Sequence, residues 1–368
     1  MFLSELTIQQ FKNISEAHIE FSPNLNFIYG ENGAGKTTIL DAIHYLSITK
    51  SFLNANDNEN IKSGSNFFRI TGVYNVHNSF EEYSCIFKSE GRKQFKYFSK
   101  DYNRLADHIG KLPLVVISPL DHFIISEGSE FRRKLLDATI SQYDKFYLSY
   151  LIEYNRLIKQ RNALLKSEQL IHVKNEMLDI IDSQLEKPAS YVFNIRKKFI
   201  STILPIFLNT YMNLSQKQDE VVSLEYKSSL FDNSLFELLK QNRLKDIQAE
   251  TTTIGIHKDD IIFYLNNKTI RYYASQGQQK TYLTAIKLAI LKYFKQHNEI
   301  PILLLDDIFD KLDEKRVNHL IKTVINENIQ VFITHTNLNQ FEKLEKSSDF
   351  CIFEVTNGKV NELKTPKG

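Results

Sequence analysis

Eight residues near the start of the chain, Gly30-Glu31-Asn32-Gly33-Ala34-Gly35-Lys36-Thr37, have the types and spacing to hold a phosphate. They fit G-x-x-x-x-G-K-[ST]. Glycines let backbone N–H groups turn inward around an anion, and a following helix adds the positive end of its dipole. Lys36 is placed to reach β- and γ-phosphates and is read as catalytic; the Thr37 hydroxyl is placed to hold Mg²⁺, and Thr38 extends the set of nucleotide contacts. The competing reading is a glycine-rich turn before an ordinary helix.

Two more stretches carry chemistry. The apolar run Ile302-Leu303-Leu304-Leu305 ends in Asp306-Asp307. A carboxylate at the C-terminal edge of a buried strand lies where α/β sheets bind ligands. Asp306 is expected to act on Mg²⁺, directly or through water, and Asp307 to polarise the attacking water as a general base. In Ser275-Gln276-Gly277-Gln278-Gln279, a hydroxyl, a flexible glycine and a helix N-terminus together make an anion site. Taken alone, that stretch is better read as a polar loop with Ser275 as N-cap. Its place one helix before the acidic strand moves Ser275, Gly277 and Gln278 into the nucleotide site.

These residues need elements to position them. Asn26 to Tyr29 reads as a buried strand, and Thr38 to Ser47 as a helix with Ile39, Leu40, Ile43 and Leu46 on one face. Strands are expected at Leu3 to Gln9, Ala17 to Glu20, Phe68 to Tyr74, Tyr83 to Phe87, Phe95 to Phe98 and Leu114 to Ile117. From Ser129 to about Leu239 the pattern is mostly helical, including a long helix over Met177 to Ile200 that Pro188 would kink or break. A hairpin is expected from Ile261–Leu265 and Thr269–Tyr273 around Asn266-Asn267. Val317, Leu320, Ile321 and Val324 mark a helix after the acidic strand, and Val331-Phe332-Ile333 is a buried strand ending at Thr334-His335. The fold class is α/β: a phosphate-loop ATPase head split in sequence, with an inserted helical lobe. Residues 1–120 form its first part, 121–245 the lobe, and 246–368 its second part.

The 368 residues are 42% hydrophobic, enough for a sizeable core, and a net charge of +2 singles out no partner by bulk charge. Cys85 and Cys351 fit no metal spacing and read as reduced core cysteines. Met1 to Glu5 lacks the pattern of a signal peptide, and no stretch approaches the roughly 20 apolar residues of a membrane span. A soluble, cytoplasmic protein is expected.

The order of phosphate loop, Ser-Gln-Gly stretch and acidic strand resembles the ABC-type ATPases, their SMC-like branch, and most closely the RecF family of bacterial DNA replication and repair proteins. The resemblance covers almost the whole chain. It includes Glu130 to Asp137, Tyr154-Asn155-Arg156-Leu157-Ile158-Lys159-Gln160-Arg161-Asn162, Gly255-Ile256-His257-Lys258-Asp259-Asp260, the signature at Ser275 to Gln279, and a Walker B motif with D-loop at Asp306 to Asp313. Ile256 and Lys258 replace the family's usual proline and arginine, and no glutamine near Ser118 fits a Q-loop. The resemblance implies that His335 touches the γ-phosphate and that Lys12, beside Asn13, lies near the nucleotide.

It also implies a function. ATP with Mg²⁺ would join two copies, Ser275 of one closing on the γ-phosphate at Lys36 of the other, and slow hydrolysis would part them. Expected partners are DNA, single-stranded or at gaps and junctions, and RecR and RecO, in replication, recombinational gap repair and the SOS response. A weak, DNA-stimulated ATPase fits this picture. The alternatives are the ATPase subunit of a transporter, or a nucleotide-gated structural protein with negligible turnover, which Asp307 in place of the usual glutamate keeps open. No helix-turn-helix, zinc-finger or RNP signal is present. Arg132-Arg133-Lys134, Arg196-Lys197-Lys198, and Arg92-Lys93 with Lys96, Tyr97 and Phe98 are candidate DNA contacts, each competing with an ordinary solvated face.

Overall fold

Short apolar runs separated by turn residues become strands, and polar-patterned runs become helices. The computed structural model describes residues 1–54, 56–168, 171–217, 219–297, 299–308, 321, 324, 327–337 and 350–364. In chain order it opens with β1 (Phe2–Phe11), β2 (Ile14–Glu20), β3 (Leu25–Tyr29) and helix α1 (Lys36–Ile48). Then come β4 (Phe67–Val76), β5 (Ser79–Lys88), β6 (Gln94–Tyr97), β7 (Lys100–Asp101) and β8 (Leu114–Ile117). Helices α2 (His122–Ser126), α3 (Ser129–Ser141), α4 (Lys145–Lys166) and α5 (Ile171–Ser215) follow. The chain continues through β9 (Val222–Lys227), α6 (Leu235–Gln241), α7 (Arg243–Ala249), β10 (Asp260–Leu265), β11 (Lys268–Thr269), α8 (Ile270–Tyr273) and α9 (Gln276–Gln296). It closes with β12 (Ile302–Leu305), β13 (Val331–His335), β14 (Phe350–Thr356) and β15 (Lys359–Lys364).

The chain divides into two compact units: 1–121, 213–216 and 276–368 in the first, and 122–212 and 217–275 in the second. Residues 246–275, grouped by sequence with the second part of the head, belong to the second unit.

The first unit is the α/β head. Its central sheet has the order β15-β14-β3-β13-β12-β8, with parallel neighbours except for the β14–β15 hairpin. Every residue of β12 and β13 is buried, the pattern of strands covered on both faces. A second, antiparallel sheet runs β2-β1-β4-β5-β6-β7. Helix α1 is buried nearly all round because its apolar residues share one core with strands of both sheets: Ile39, Ile43 and Leu46 join Leu6 and Ile70 as well as Ile28 and Phe332. Strand β14 lies beside β3 in the central sheet, a position the sequence reading left empty.

The second unit is mostly helical. Helix α5 runs 45 residues, roughly 65 Å at 1.5 Å per residue, and continues through both Pro188 and Pro205 rather than breaking at Pro188. The unit also carries a three-stranded sheet, β11-β10-β9, whose strand β9 lies inside the stretch read as helical to Leu239. Val222, Leu224 and Tyr226 alternate there, which is the strand period. The expected hairpin forms at β10–β11, but its second arm stops after Thr269. Ile270 turns inward at 1% exposure, and a helical turn carries Tyr272 and Tyr273 outward, so tertiary packing overrides their β propensity.

The proposed D-loop from 309 onward, and Val317 and Leu320 of the following helix, lie outside the described residues; Ile321 and Val324 are buried. Among the described residues no helix is long and apolar enough to cross a membrane.

Candidate functional site

The phosphate loop leaves β3 at Tyr29 and enters α1 at Lys36. Gly30 has φ +155, and a Cβ there would lie 2.2 Å from the Val355 carbonyl oxygen of β14. The loop therefore passes too close to a neighbouring strand for any side chain. Helix α1 starts at Gly35 without a side-chain cap and without an acidic residue in its first turn. Its leading N–H groups thus keep their pull on an external anion. Lys36, 4% exposed, donates from Nζ to the carbonyls of Gly30 (2.8 Å) and Glu31 (3.0 Å). An ammonium has three protons, so one remains for a ligand.

The sheet register brings the distant acidic strand to this loop. Parallel pairing sets Leu305 beside Ile333 and Thr334 beside Ile28. Asp306 follows β12 and is 3% exposed; its Oδ1 accepts the hydroxyls of Thr37 (2.9 Å) and Thr334 (2.8 Å). Asp307 adopts φ 45, and its N–H donates to Thr334 Oγ1 at 3.0 Å. Asp307 Oδ1 is buried and has no hydrogen-bond partner among the described residues. His335 ends β13 in register with Tyr29 and is 6% exposed. Gly30 to Thr37, Asp306, Asp307 and His335 thus converge at the C-terminal edges of β3, β12 and β13 in one unit.

Asn13 and Thr38 brace the loop from outside. The Asn13 amide donates to the Gly33 carbonyl (3.0 Å), and its Oδ1 accepts the Thr38 hydroxyl (2.7 Å). The fixed orientation of Asn13 is the functional detail that residue types alone did not specify. Lys12 lies 2.5 Å from Asp41 Oδ2 on α1 and 3.4 Å from Ser51 Oγ. In this structure its charge is balanced within the head.

The stretch Ser275 to Gln279 straddles the division between the two units, which falls after Ser275. Ser275, Gln276 and Gly277 are exposed, and α9 begins at Gln276. A Cβ on Gly277 would meet nothing within 4 Å, and its φ is ordinary. Neither backbone geometry nor a neighbour in the described chain requires glycine there, although glycine costs a helix about 1 kcal/mol against alanine.

In the second unit the stretch Tyr154–Asn162 ties down the segment around Gly255-Ile256-His257. The Tyr154 hydroxyl and His257 Nδ1 are 2.7 Å apart, and Asn162 Oδ1 accepts from the N–H (2.8 Å) and hydroxyl (2.7 Å) of Thr252. Arg161, fully buried, donates to Asp182 and Asp246, both at 2.6 Å. Burial pushes His257 down to about 4, so its ring is neutral at pH 7.

Several of the candidate DNA cations are engaged within the protein. Arg132 forms a two-pronged pair with Asp260 at 2.7 and 3.1 Å, and Arg133 donates to the Asp259 carbonyl at 2.6 Å. Arg196 bridges Asp137 (2.8 Å) and Asp259 (3.0 Å). Lys93 pairs with Asp57 at 2.7 Å. Runs of basic residues on helices cannot be told from salt-bridged faces by sequence. Lys134, Lys197, Lys198 and Arg92 remain substantially exposed, as does Phe98.

Comparison with known proteins follows the same pattern. The model of the RecF/RecN/SMC N-terminal domain family matches residues 2–360. The chain is 42% identical to the DNA replication and repair protein RecF of Phocaeicola vulgatus over 370 residues, covering 99% of each. It is also 42% identical to RecF of Flavobacterium johnsoniae over 351 residues, covering 95% of this chain and 98% of the relative. Among solved structures, the recombination mediator protein RecF with ATP, of the RecFOR pathway, aligns with TM-score 0.89 at 28% identity, covering 99% of this chain and 98% of the other. The Smc head domain from Pyrococcus furiosus, bound to the C-terminal domain of ScpA, aligns with TM-score 0.58 at 18% identity over 99% and 96% of the two chains; that likeness is one of fold.

Proposed function

The chain belongs to the RecF family of DNA replication and repair proteins, and from that premise we propose that it is an ATP-gated dimer that grips DNA during recombinational gap repair. The carrying observation is the contact between Thr37 and Asp306, which assembles a phosphate loop and an acidic strand into one nucleotide site. ATP binding is supported further by the uncapped start of α1 and by the solved relative that holds ATP.

The donor set fits Mg²⁺. One hydroxyl and one carboxylate, both hard oxygen donors, suit an ion that keeps waters and takes its remaining ligands from phosphates. When bound, Mg²⁺ neutralises phosphate charge and draws electrons from the bond to be broken. The residues of the chain do the rest. Loop N–H groups and Lys36 fix the β- and γ-phosphates, and Thr37 and Asp306 hold the ion. The unbonded Oδ1 of Asp307 is the general base that accepts a proton from the attacking water, and His335 donates to the γ-phosphate. Aspartate is shorter than the usual glutamate, so its carboxylate stands back from the water and turnover is slow. Lys12 is released from Asp41 to join the nucleotide.

Ser275, Gly277 and Gln278 complete the site from a second copy. Exposed Gly277, where an added Cβ would meet nothing within 4 Å among the described residues, supports this because a missing side chain lets another surface approach. ATP is then the glue of the dimer, and hydrolysis releases it. DNA, single-stranded or at gapped junctions, is the load, with RecR and RecO as partners, in keeping with the pathway named for the solved relative.

Sedimentation with and without ATP tests the reading. Dimerisation on ATP, lost in Lys36→Ala and Ser275→Arg, is expected; oligomers indifferent to ATP and to both changes would refute it. DNA affinity should fall with salt as counterions are released, and single-turnover hydrolysis with and without DNA separates a slow ATPase from a pure nucleotide switch.

A further inference from the structure

We infer that Thr334 is the positioning residue of the acidic pair, and so sets both the metal affinity and the turnover of this site. The inference rests on the ATPase reading above and adds a residue to it. Thr334 lies on β13, fully buried, between the strand that feeds the phosphate loop and the strand that ends in Asp306. Its hydroxyl has a single proton, which goes to Asp306 Oδ1 at 2.8 Å. Its lone pairs are then left to accept the Asp307 N–H at 3.0 Å. One side chain therefore fixes both acids, in opposite hydrogen-bond senses.

Each bond has a separate consequence. Thr37 and Thr334 donate to the same carboxylate oxygen. When Thr37 offers an oxygen lone pair to a cation, its proton can stay on Asp306, and Thr334, the second donor to the same oxygen, keeps the carboxylate from rotating. Asp307 stands in the left-handed region at φ 45, which a side chain with a Cβ resists. Its N–H bond to Thr334 helps hold the turn there, and with it the direction of the carboxylate whose Oδ1 lacks a partner among the described residues. The parallel register makes this possible: Leu305 pairs with Ile333, so the next residues, Asp306 and Thr334, are neighbours on one face. A buried threonine bonded only to satisfy itself would need one partner, and would not have to serve both acids.

The test compares the full chain with Thr334→Val, which keeps shape without the hydroxyl, and Thr334→Ser, which keeps the hydroxyl. Three quantities are read: exchange protection of the Asp307 amide without nucleotide, ATP affinity in EDTA, and the Mg²⁺ dependence of kcat and KM. Valine is expected to lower Asp307 protection about tenfold or more and kcat by about 10–100-fold, with a raised Mg²⁺ requirement, while ATP affinity in EDTA stays within about twofold. Serine is expected to restore all of these to within about threefold. If the valine chain does not fold, Thr334→Cys, with a poor donor of similar size, is judged by the same criteria. Valine equal to wild type in kcat and Mg²⁺ dependence, or serine as impaired as valine, overturns the inference. A wild-type chain without Mg²⁺-dependent hydrolysis overturns the ATPase reading instead, and Asp307 protection then decides the role of Thr334 alone.

Discussion

Thr37 donates its hydroxyl proton to Asp306 Oδ1 at 2.9 Å across 269 positions of sequence. Two halves of a site, each incomplete, meet in that bond. Thr37→Val should leave the fold intact and cut Mg²⁺-dependent ATP hydrolysis by roughly 10–100-fold, the worth of one hydrogen bond to a charged group. Thr37→Ser should retain most activity. Steady-state kinetics across Mg²⁺ concentrations checks both.

Two glycines should respond oppositely to the same substitution. Gly30→Ala drives a Cβ into the Val355 carbonyl, 2.2 Å away, and should cost about 2 kcal/mol or more while abolishing ATP binding. Gly277→Ala meets open space and should stabilise the isolated chain by up to about 1 kcal/mol. It should nevertheless weaken ATP-dependent dimerisation. Thermal melts of monomer, paired with sedimentation in ATP, separate the effects.

Arg161→Ala should destabilise the second unit by about 3–5 kcal/mol, because Asp246 would stay buried without its cation and Asp182 would keep only Arg243, 2.8 Å away. Arg161→Lys should recover only part of this, since one ammonium cannot reproduce a planar fork. Urea unfolding measures the loss. The same logic predicts that Arg132→Gln loses stability before it loses DNA affinity, since Asp260 already holds that guanidinium.

His108 gives the head an acid-side weakness. It is fully buried, its Nε2 lies 2.6 Å from the Leu46 carbonyl, and burial pushes it down to about 4. The folded group binds its proton less readily than the unfolded one. Its contribution is therefore complete above the ordinary histidine range near 6.5 and is lost as pH falls from there toward 4. The loss amounts to roughly 3 kcal/mol. Urea midpoints measured from pH 7.5 to 4.5 should fall in wild type and fall less steeply in His108→Phe.

Legibility from sequence followed locality. The phosphate loop, β3 and α1 were readable because glycine spacing, a short apolar run and a helical period sit within twenty residues of one another. The apolar runs of β12 and β13 announced buried parallel strands. The order in which they pair was not readable, and that order is what sets Thr334 beside Asp306. β14 was not read from the sequence, and its place beside β3, over three hundred positions away, follows only from the sheet order. The basic runs at Arg132 and Arg196 left two readings open for a related reason: Asp260, Asp137 and Asp259 answer them from other elements, and a charge pattern shows only one side of a pair.

Synthesis of the chain imposes a delay on β3. Its neighbours on both sides are β13 and β14, so Leu25–Tyr29 leaves the ribosome about three hundred residues before either arrives. At about 5–20 residues per second this is a wait of roughly 15–60 s, during which an apolar strand has no permanent partner and the loop behind it has no acidic strand to close on. A nascent or prematurely ended chain that stops short of Val331 therefore cannot assemble the nucleotide site. The split head works as a completeness check made of strand order alone.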